Sequence, residues 1–475
     1  MRSSGVLPFA DLVLPAIRWD ADQGFEPSRE QIDRALALGV GGFILFGGER
    51  VAVQKLTDAL RSSSARELLI ASDTERGAGQ QVRGLTSLPP LLALAAMGES
   101  AVSEAAHITA LECRDVGINW ALGPVCDLDI EPANPIVQTR SLGTDAWLVG
   151  RLASAWIEAC QKEGVLACAK HFPGHGRTTM DSHATLPVVT AGRELERDLI
   201  PFRLAVCADV AAVMSCHVAF PAWDPSGVPA THSSKLLRDV LRRDLFFHGL
   251  TVTDALIMEG AKSGSEGQGA VRAIHGGCDL LLYPHDMEAA IDGITGAVQS
   301  GDRALAGLAA QSSLRRETTV LKAAEPARLP DATLKAHQVR GAALCLGAVK
   351  LLRGDPPTLQ GAVEIHVVDD DAGGPYPLPP RDAFQRELER LGVQVRAGGQ
   401  PVVLLFADVK SWKGRAELSQ DSVTKLHALL RQAAPVVLCG HPRRQLEIPG
   451  LGPVLCAWGG DEAMQRAAAQ VMVQA

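Results

Sequence analysis

The sequence predicts an α/β protein in which a TIM-type (β/α)8 barrel is followed by a smaller parallel α/β sandwich domain. The chain has 475 residues, enough for one barrel of about 250 residues with a second module attached. Its first part alternates short apolar runs with helical patterns, as parallel βα units do. After AAEPARLPDAT, a segment containing Pro and Ala that is typical of a linker, the alternation resumes.

Eight candidate strands precede residue 290, and each is a short apolar run that leads into a polar or Gly- and Pro-containing segment. Helical patterns such as REQIDRALALG and LVGRLASAWIEACQKEG separate them. Eight such βα units suggest a TIM-type barrel. The predicted strands lie near residues 11–17, 41–47, 67–73, 118–124, 164–172, 211–218, 249–255 and 278–284.

The domain prediction follows from the same alternation. We expect a catalytic barrel domain over residues 1–330 and a C-terminal α/β sandwich domain over residues 335–475. In the second domain, VEIHVVDD, PVVLLFADV and PVVLCG are typical of buried strands, and RDAFQRELERLG and SVTKLHALLRQAA are typical of helices.

Composition and charge exclude several classes of protein. Apolar residues make up 47% and charged residues 21%, as in an average soluble globular protein. The net charge of -8 offers no broad attraction to nucleic acid or an anionic membrane. No apolar run is long enough for a membrane span, and the N-terminus has no secretory signal pattern. The ten cysteines include no C-x-x-C pair and predict free thiols in a reducing compartment. We therefore expect a cytoplasmic protein that binds neither nucleic acid nor membrane.

Polar residues end several of the predicted strands. Asp73 ends the third strand, Lys170 and His171 end the fifth, His217 ends the sixth and Asp254 ends the seventh. Active sites of TIM barrels lie at the C-terminal ends of the strands, where the βα loops converge. We therefore expect these side chains to line one pocket at that mouth.

The most unusual segment is KHFPGHGRTTMDSHATLP at 170–187. Its Gly and Pro residues exclude a helix, so His171 and His175 are not a zinc-binding pair on one helix face. A carboxylate such as Asp181 can hydrogen-bond one ring nitrogen of His183 and leave the other free for proton transfer. The alternative is a polar surface loop in which Asp-x-His is incidental.

Asp254 lies in GLTVTDALIMEG at 249–260. A carboxylate between an apolar strand and further apolar residues points into a partly dry site, where it could act as a nucleophile or a base. The alternative is the N-cap of a helix that starts at the next residue.

Two further loops, at 71–90 and 123–143, follow predicted strands and contain Asp73, Arg83 and Arg140. These charged groups could hold hydroxyl groups of a ligand, although a solvated loop charge is an equal alternative for Arg83. The chain has no dinucleotide fingerprint, Walker loop, C-x-x-C set or G-x-S-x-G elbow.

Taken together, these segments resemble glycoside hydrolase family three, and within it the bacterial exo-β-N-acetylglucosaminidases of peptidoglycan recycling. KHFPGHG at 170–176 with the following D-S-H at 181–183 is the most specific part. VMSCHVAFPAWD, TVTDALIMEG and HGGCDLLLYPHD extend the similarity in consistent order from about residue 10 to 290. The C-terminal part, with PVVLCG and LGPVLCAWGGDEA, is similar to the sandwich domain of two-domain members.

The resemblance implies an exo-acting, retaining β-glycosidase that acts on a carbohydrate substrate and requires no metal and no organic cofactor. Asp254 would be the nucleophile, and His183, supported by Asp181, would be the general acid/base on a mobile loop that can lie far from Asp254 without ligand. Ala255 stands where the family often has a second Asp, and the loop after Asp73 is two residues longer than the commonest spacing. The implied substrate-binding residues are Asp73, Arg83, Arg140, Lys170, His171 and Met258.

Three other functions stay open at this point. A member of the same family could act on β-glucosides or other β-linked sugars, and a related variant could use phosphate instead of water as the acceptor. The third is a non-catalytic sugar-binding barrel, which the absence of Asp254 or His183 would favour; both are present.

Overall fold

The computed structural model describes residues 7–262, 264–357, 359, 361–372, 378–410, 413–430, 434–450 and 452–474. Within these residues a curled parallel sheet, surrounded by helices, precedes a second and separate mixed sheet. The predicted α/β fold with two sheets is confirmed.

Eight strand segments make up the barrel, and the first of them is divided at Pro15, which has no N–H group to donate to a neighbouring strand. The strands are β1 (Val13–Leu14), β2 (Ala16–Arg18), β3 (Gly42–Phe46), β4 (Leu69–Ser72), β5 (Trp120–Ala121), β6 (Leu166–Phe172), β7 (Ala212–Ser215), β8 (Leu250–Thr253) and β9 (Leu281–Leu282).

The order of the strands in the sheet follows the chain. Strands β2 to β8 form one parallel sheet. Strand β1 pairs in parallel with β9. The Thr253 N–H donates to the Leu280 carbonyl over 3.0 Å and joins the end of β8 to the segment that leads into β9. Because β1 and β2 are consecutive, these contacts close the sheet on itself.

Helical connections follow each barrel strand. The β7–β8 connection contains a helix of π type, Lys235–Asp244. The α-helices are α1 (Arg29–Leu38), α2 (Arg50–Ser63), α3 (Leu91–Met97), α4 (Glu99–Asp115), α5 (Ala146–Lys162), α6 (Leu195–Asp198), α7 (Ile200–Cys207), α8 (Glu266–Gly276), α9 (Met287–Gln299) and α10 (Arg303–Val320). Short 3-10 turns lie at Ala10–Leu12, Glu26–Ser28, Ala78–Gln80, Gln138–Arg140, Ala230–His232 and Glu259–Ala261.

Helix α1 illustrates how the sequence determines these elements. Ile32, Ala35 and Leu38 recur every three residues and are the buried positions of the helix, as expected for one apolar face. Gly39 ends the helix with a left-handed φ of 84°, and its N–H donates to the carbonyls of Ala35 and Leu36. A residue with a Cβ adopts this conformation at a cost, so glycine is favoured here.

The barrel core has an inner and an outer apolar cluster. Ile44 and Leu69 belong to the cluster that contains Trp120, whereas their chain neighbours Phe43 and Ile70 belong to the cluster shared with the helices. Consecutive side chains on a strand point to opposite faces of the sheet, which explains this alternation. Both faces of the sheet are therefore buried.

The second sheet has the order β10-β14-β13-β12-β11. Strands β11 to β14 are parallel, and β10 is an antiparallel edge strand, so the sheet is mixed. The strands are β10 (Lys350–Arg353), β11 (Val363–Asp369), β12 (Gln400–Ala407), β13 (Val436–Gly440) and β14 (Val454–Cys456). The helices are α11 (Asp331–Ala348), α12 (Ala383–Arg390), α13 (Gln420–Leu430) and α14 (Glu462–Gln474), with a 3-10 turn at Pro442–Glu447.

The segment between the two sheets lies along the barrel. The Leu329 N–H donates to Asp115 over 2.7 Å, and Arg328 pairs with Asp58 at 2.5 Å. Helix α11 packs against α3 and α4 of the barrel and against α14. It therefore contacts both parts, and the division at residues 330 and 335 stays a prediction.

Two further features concern the chain as a whole. All ten cysteines are free thiols, and Cys207 is the exposed one among them. In the described part of the chain, no helix is both long enough and apolar enough to span a bilayer.

Candidate active site

The polar residues at the strand ends converge at one mouth of the barrel. Lys170 and His171 lie in β6, while Asp254 directly follows β8 and Asp73 directly follows β4. The Lys170 Nζ atom is 2.8 Å from Asp73 Oδ1. The charge of His171 acts on Asp254 strongly enough to lower its pKa. Three strands therefore supply one site, as the sequence predicts.

Buried ion pairs hold the two cations of the site. Lys170 is buried, and its Nζ lies 2.7 Å from Glu75 Oε1 as well as close to Asp73. Arg140 donates to both oxygens of Glu75, over 3.0 Å from Nε and 2.8 Å from the terminal nitrogen. Burial would raise the pKa of Glu75, but Arg140 and Lys170 outweigh it and hold that pKa well below its usual range. The two cations and two carboxylates are thus fixed as a set.

Glu75 belongs to this ionic cluster and was missed by the sequence prediction. Its position two residues after Asp73, in the same loop, was a usable signal. The buried Lys170 and the partly buried Arg140 need more than the single negative charge of Asp73. A count of charges at the predicted site would therefore have pointed to a second carboxylate nearby.

His171 is held by a second carboxylate, Asp127. Its Nδ1–H donates to Asp127 Oδ2 over 2.6 Å, and its backbone N–H donates to Oδ1 over 3.2 Å. Consecutive residues of a regular strand point to opposite faces, yet Lys170 and His171 both reach the site. The pairing of β6 with β7 shifts register between Lys170 and Phe172, so the alternation of a regular strand does not apply at these two residues. Asp127 was also missed, because its partner is distant in sequence.

Asp254 is half-buried and ionised. Burial would raise its pKa, but the charges of His171 and His217, and a 2.7 Å hydrogen bond from the Ala255 N–H, lower it to about 2. His217, predicted to end the sixth strand, lies two residues beyond its last residue, Ser215. Its Nε2 donates to the Ala255 carbonyl over 3.2 Å. The carboxylate is therefore unprotonated at neutral pH, which a nucleophile or base requires.

His183 and Asp181 form the predicted pair. The Nδ1–H of His183 donates to Asp181 Oδ1 over 2.7 Å, and the His183 backbone N–H donates to the same oxygen over 2.8 Å. Asp181 is buried, whereas the His183 side chain is 46% exposed. These bonds fix the ring orientation and leave Nε2 to transfer a proton. The charge of His183 also contributes to the low pKa of Asp254.

The His183 loop lies against the segment that follows Asp254. The Glu259 N–H donates to the His183 carbonyl over 3.4 Å, and the Gly260 N–H donates to the Ser182 carbonyl over 3.0 Å. A Cβ at Gly260 would lie 3.0 Å from three backbone oxygens, so a glycine permits this approach. Met258 is buried in the same segment. In this structure these backbone hydrogen bonds hold the His183 loop against the segment after Asp254, and the mobility of the loop stays a prediction.

Arg83 is not brought into the cluster. Its guanidinium pairs with Glu49 at 2.8 Å, and its side chain is 65% exposed. Its backbone carbonyl accepts from the Arg50 N–H, which directs this part of the longer loop towards the start of α2. The structure thus gives no support to a sugar-binding role for Arg83 and matches the alternative of a solvated loop charge.

Known proteins share this sequence and fold. The family described as "Glycosyl hydrolase family 3 N terminal domain" matches residues 10–320. A β-N-acetylglucosaminidase/β-glucosidase of Cellulomonas fimi is 31% identical over 419 residues, which cover 83% of this chain and 73% of that protein. A β-hexosaminidase of Neisseria meningitidis serogroup C is 36% identical over 275 residues, 54% of this chain and 75% of that protein.

A solved structure extends the similarity to both sheets. The glycoside hydrolase family 3 β-N-acetylglucosaminidase of Paenibacillus sp. str. FPU-7 superposes with a TM-score of 0.82 at 28% identity. The match covers 98% of this chain and 96% of that chain. The family match spans well over half of the sequence, and the chain therefore belongs to glycosyl hydrolase family 3 and is a glycoside hydrolase.

Proposed function

We propose that this chain is an exo-acting, retaining β-N-acetylglucosaminidase that releases terminal β-linked GlcNAc. The observation that carries the proposal is that the segment after the ionised Asp254 is hydrogen-bonded to the loop that holds the Asp181–His183 pair. Retaining hydrolysis needs a carboxylate at the anomeric carbon and a proton donor at the leaving oxygen. The relatives named as β-N-acetylglucosaminidase and β-hexosaminidase supply the substrate class.

In the proposed first step, an oxygen of Asp254 attacks the anomeric carbon while the bond to the leaving oxygen breaks. His183, protonated on Nε2, gives that proton to the leaving oxygen and becomes neutral. The low pKa of Asp254 supports this role because the attacking carboxylate must be ionised. The product of this step is a sugar joined to Asp254 through an ester bond.

In the second step, water attacks the same carbon and His183 takes its proton, which regenerates both groups. Two displacements at one carbon retain the β configuration. Asp181 holds the ring orientation and stabilises the imidazolium that exists before the first step and after the second.

The remaining predicted residues are proposed to bind one terminal sugar. Asp73, Lys170 and Arg140 present fixed donors and acceptors that suit hydroxyl groups, and His171 adds a ring nitrogen directed by Asp127. Met258 is proposed to contribute apolar surface to the pocket. A compact set of this kind suits a single pyranose at a chain end, which is why we propose exo action.

The natural substrates are proposed to be peptidoglycan-derived fragments, and the chain is proposed to act in the cytoplasm. The similarity of the KHFPGHG and D-S-H segments to enzymes of peptidoglycan recycling supports the first point. Ten cysteines without a disulfide support the second, because free thiols persist in reducing compartments.

A β-glucosidase is the second candidate, since the Cellulomonas fimi relative is named for both activities. A phosphorylase is a third, because a neutral histidine repels phosphate less than a carboxylate does. Initial rates on nitrophenyl β-GlcNAc and nitrophenyl β-glucoside, each with and without phosphate, separate the three. The proposal predicts the higher kcat/KM on the GlcNAc substrate and no acceleration by phosphate. A preference for glucoside, or a rate that requires phosphate, would replace it with the corresponding alternative.

A further inference from the structure

The second sheet presents its C-terminal edge to the mouth of the barrel. Asp408 directly follows β12, His441 directly follows β13, and Asp461 lies in the segment between β14 and α14. Parallel strands bring their C-terminal ends to the same edge of a sheet. Residues from three connections of the second domain can therefore contact the barrel together.

One contact, here named the Asp129 contact, fixes the loop after β5. Asp129 is buried and accepts from His441 Nε2 over 2.7 Å and from the guanidinium of Arg443. Arg443 also donates to the Glu131 carbonyl over 3.3 Å, and Arg444 donates to Gln138 over 3.4 Å.

The hydrogen bonds of His441 orient its ring. The Arg443 N–H donates to His441 Nδ1 over 3.1 Å, so the ring proton lies on Nε2 and points to Asp129. Asp129 is two residues from Asp127, which holds His171. The second domain therefore binds the barrel loop close to a proposed sugar-binding group.

The other contact, here named the Arg76 contact, fixes the loop after β4. The Arg76 guanidinium pairs with Asp461 and lies 3.6 Å from Asp408, and both carboxylates belong to the second domain. A Cβ at Gly459 would lie 2.7 Å from a terminal nitrogen of Arg76, so this glycine leaves room for the guanidinium. Arg76 directly follows Glu75, the carboxylate between Lys170 and Arg140.

We propose that these two interdomain contacts make the second domain a positioning element of the active site, with Arg76, Asp129 and Arg443 as positioning residues. Each contact is one or two residues from a carboxylate that orients proposed sugar-binding groups. A displacement of about 1 Å in such groups can cost on the order of 100-fold in rate. The inference rests on the proposed function, because the positioned groups are those proposed to bind sugar.

The chain offers substitutions that separate positioning from simple docking of two domains. Arg443→Ala removes the guanidinium at Asp129, and Arg443→Lys keeps a positive charge there. Arg466→Ala is the matched control, because Arg466 belongs to the second domain and pairs with Glu462 on the surface, where its side chain is 52% exposed. Asp461→Asn weakens the Arg76 contact but keeps an N-cap for α14, since the Asp461 side chain accepts from the Met464 N–H over 3.1 Å.

The experiment measures kcat and KM on nitrophenyl β-GlcNAc for each variant, well below its unfolding temperature. We expect kcat/KM to fall about 30-fold in Arg443→Ala and about 10-fold in Asp461→Asn. The kcat/KM of Arg443→Lys should lie within about threefold of the wild-type value, and that of the Arg466→Ala control should lie within about twofold of it. Values within twofold for both Arg443→Ala and Asp461→Asn, with or without a lower unfolding temperature, would overturn the inference and leave only domain docking.

A second measurement keeps this test separate from that of the proposed function. Amide hydrogen exchange of peptides covering 73–88 and 127–140 does not require activity. Faster exchange of 127–140 in Arg443→Ala, and of 73–88 in Asp461→Asn, supports positioning of these loops. Unchanged exchange in both would overturn it. An inactive wild-type protein would refute the proposed function, and the exchange result would still decide the inference.

Discussion

Replacement of Glu75 by Gln is expected to damage both stability and catalysis, because this carboxylate balances Lys170 and Arg140. Glutamine keeps the size of the side chain but removes the charge, and its NH2 group would face a cationic donor. Removing one partner of a buried ion pair costs about 3–5 kcal/mol. Since Arg140 is 28% exposed, water compensates in part, and we expect a loss of about 3 kcal/mol.

The catalytic loss follows from the displacement of the two cations. A shift of about 1 Å lowers kcat/KM on the order of 100-fold, which corresponds to about 2.7 kcal/mol of transition-state stabilisation. The assay compares kcat/KM on nitrophenyl β-GlcNAc for Glu75→Gln and the control Glu99→Gln. Glu99 pairs with Arg151 on the surface at 3.4 Å and is 55% exposed, so its substitution should change stability by less than about 0.5 kcal/mol.

The lowered pKa of Glu75 also predicts how its contribution to stability changes with pH. The folded pKa of Glu75 lies below the value of 4.5 for the free group, so its contribution is fully present above pH 4.5 and is lost as pH falls towards the folded pKa. In urea unfolding, the free energy of unfolding of the wild type should exceed that of Glu75→Gln by the largest amount near pH 7. This difference should shrink below pH 4.5. A Glu75→Gln variant with kcat/KM within threefold and stability within 0.5 kcal/mol of the wild type would refute the reasoning.

Three further predictions concern the acid/base pair and Arg83. His183→Ala should lower kcat/KM on disaccharides at least about 100-fold more than on nitrophenyl glycosides. The reason is that a nitrophenolate leaves with little proton assistance, whereas a sugar alkoxide needs protonation. Equal losses on both substrates would mean that His183 only positions the sugar. Asp181→Asn should also lose more kcat/KM on disaccharides than on nitrophenyl glycosides, but by a smaller factor, since the ring loses its orienting carboxylate. A factor equal to that of His183→Ala would contradict this role. Arg83→Ala should leave KM within about twofold because the side chain is exposed and paired with Glu49; a tenfold rise in KM would return Arg83 to the site.

The sequence predicted those parts of the site that lie at strand ends. Lys170, His171 and Asp254 each follow or end an apolar run, so the barrel prediction alone brings them to one mouth. The same reasoning predicted the strand order but not the division of the first strand at Pro15, since the apolar run continues on both sides of it.

The parts that could not be predicted depend on loops and on distant contacts. Asp127 and Glu75 lie in loops without regular periodicity, and their roles become visible when Lys170, His171 and Arg140 are placed in space. The register shift in β6 is equally a property of the pairing and not of the local sequence. Arg83 was assigned by motif spacing, and a longer loop carries it to Glu49 instead.

The contacts between the domains were beyond sequence reasoning for a different reason. Arg443 and Asp129 are 314 residues apart, and a short basic stretch such as HPRR is by itself typical of a solvated surface. This stretch has a buried partner, Asp129, because the second sheet packs against the barrel.

The central claim is that Asp254 forms a covalent bond with the sugar. Reaction of the wild type with an activated fluorinated β-glycoside, which slows the second step, followed by proteolysis and mass spectrometry, locates that bond. We expect one sugar per chain on the peptide that contains Asp254, no label in Asp254→Ala, and a β-configured product from the normal substrate by NMR. A label on another residue, or an α-configured product, would contradict the account.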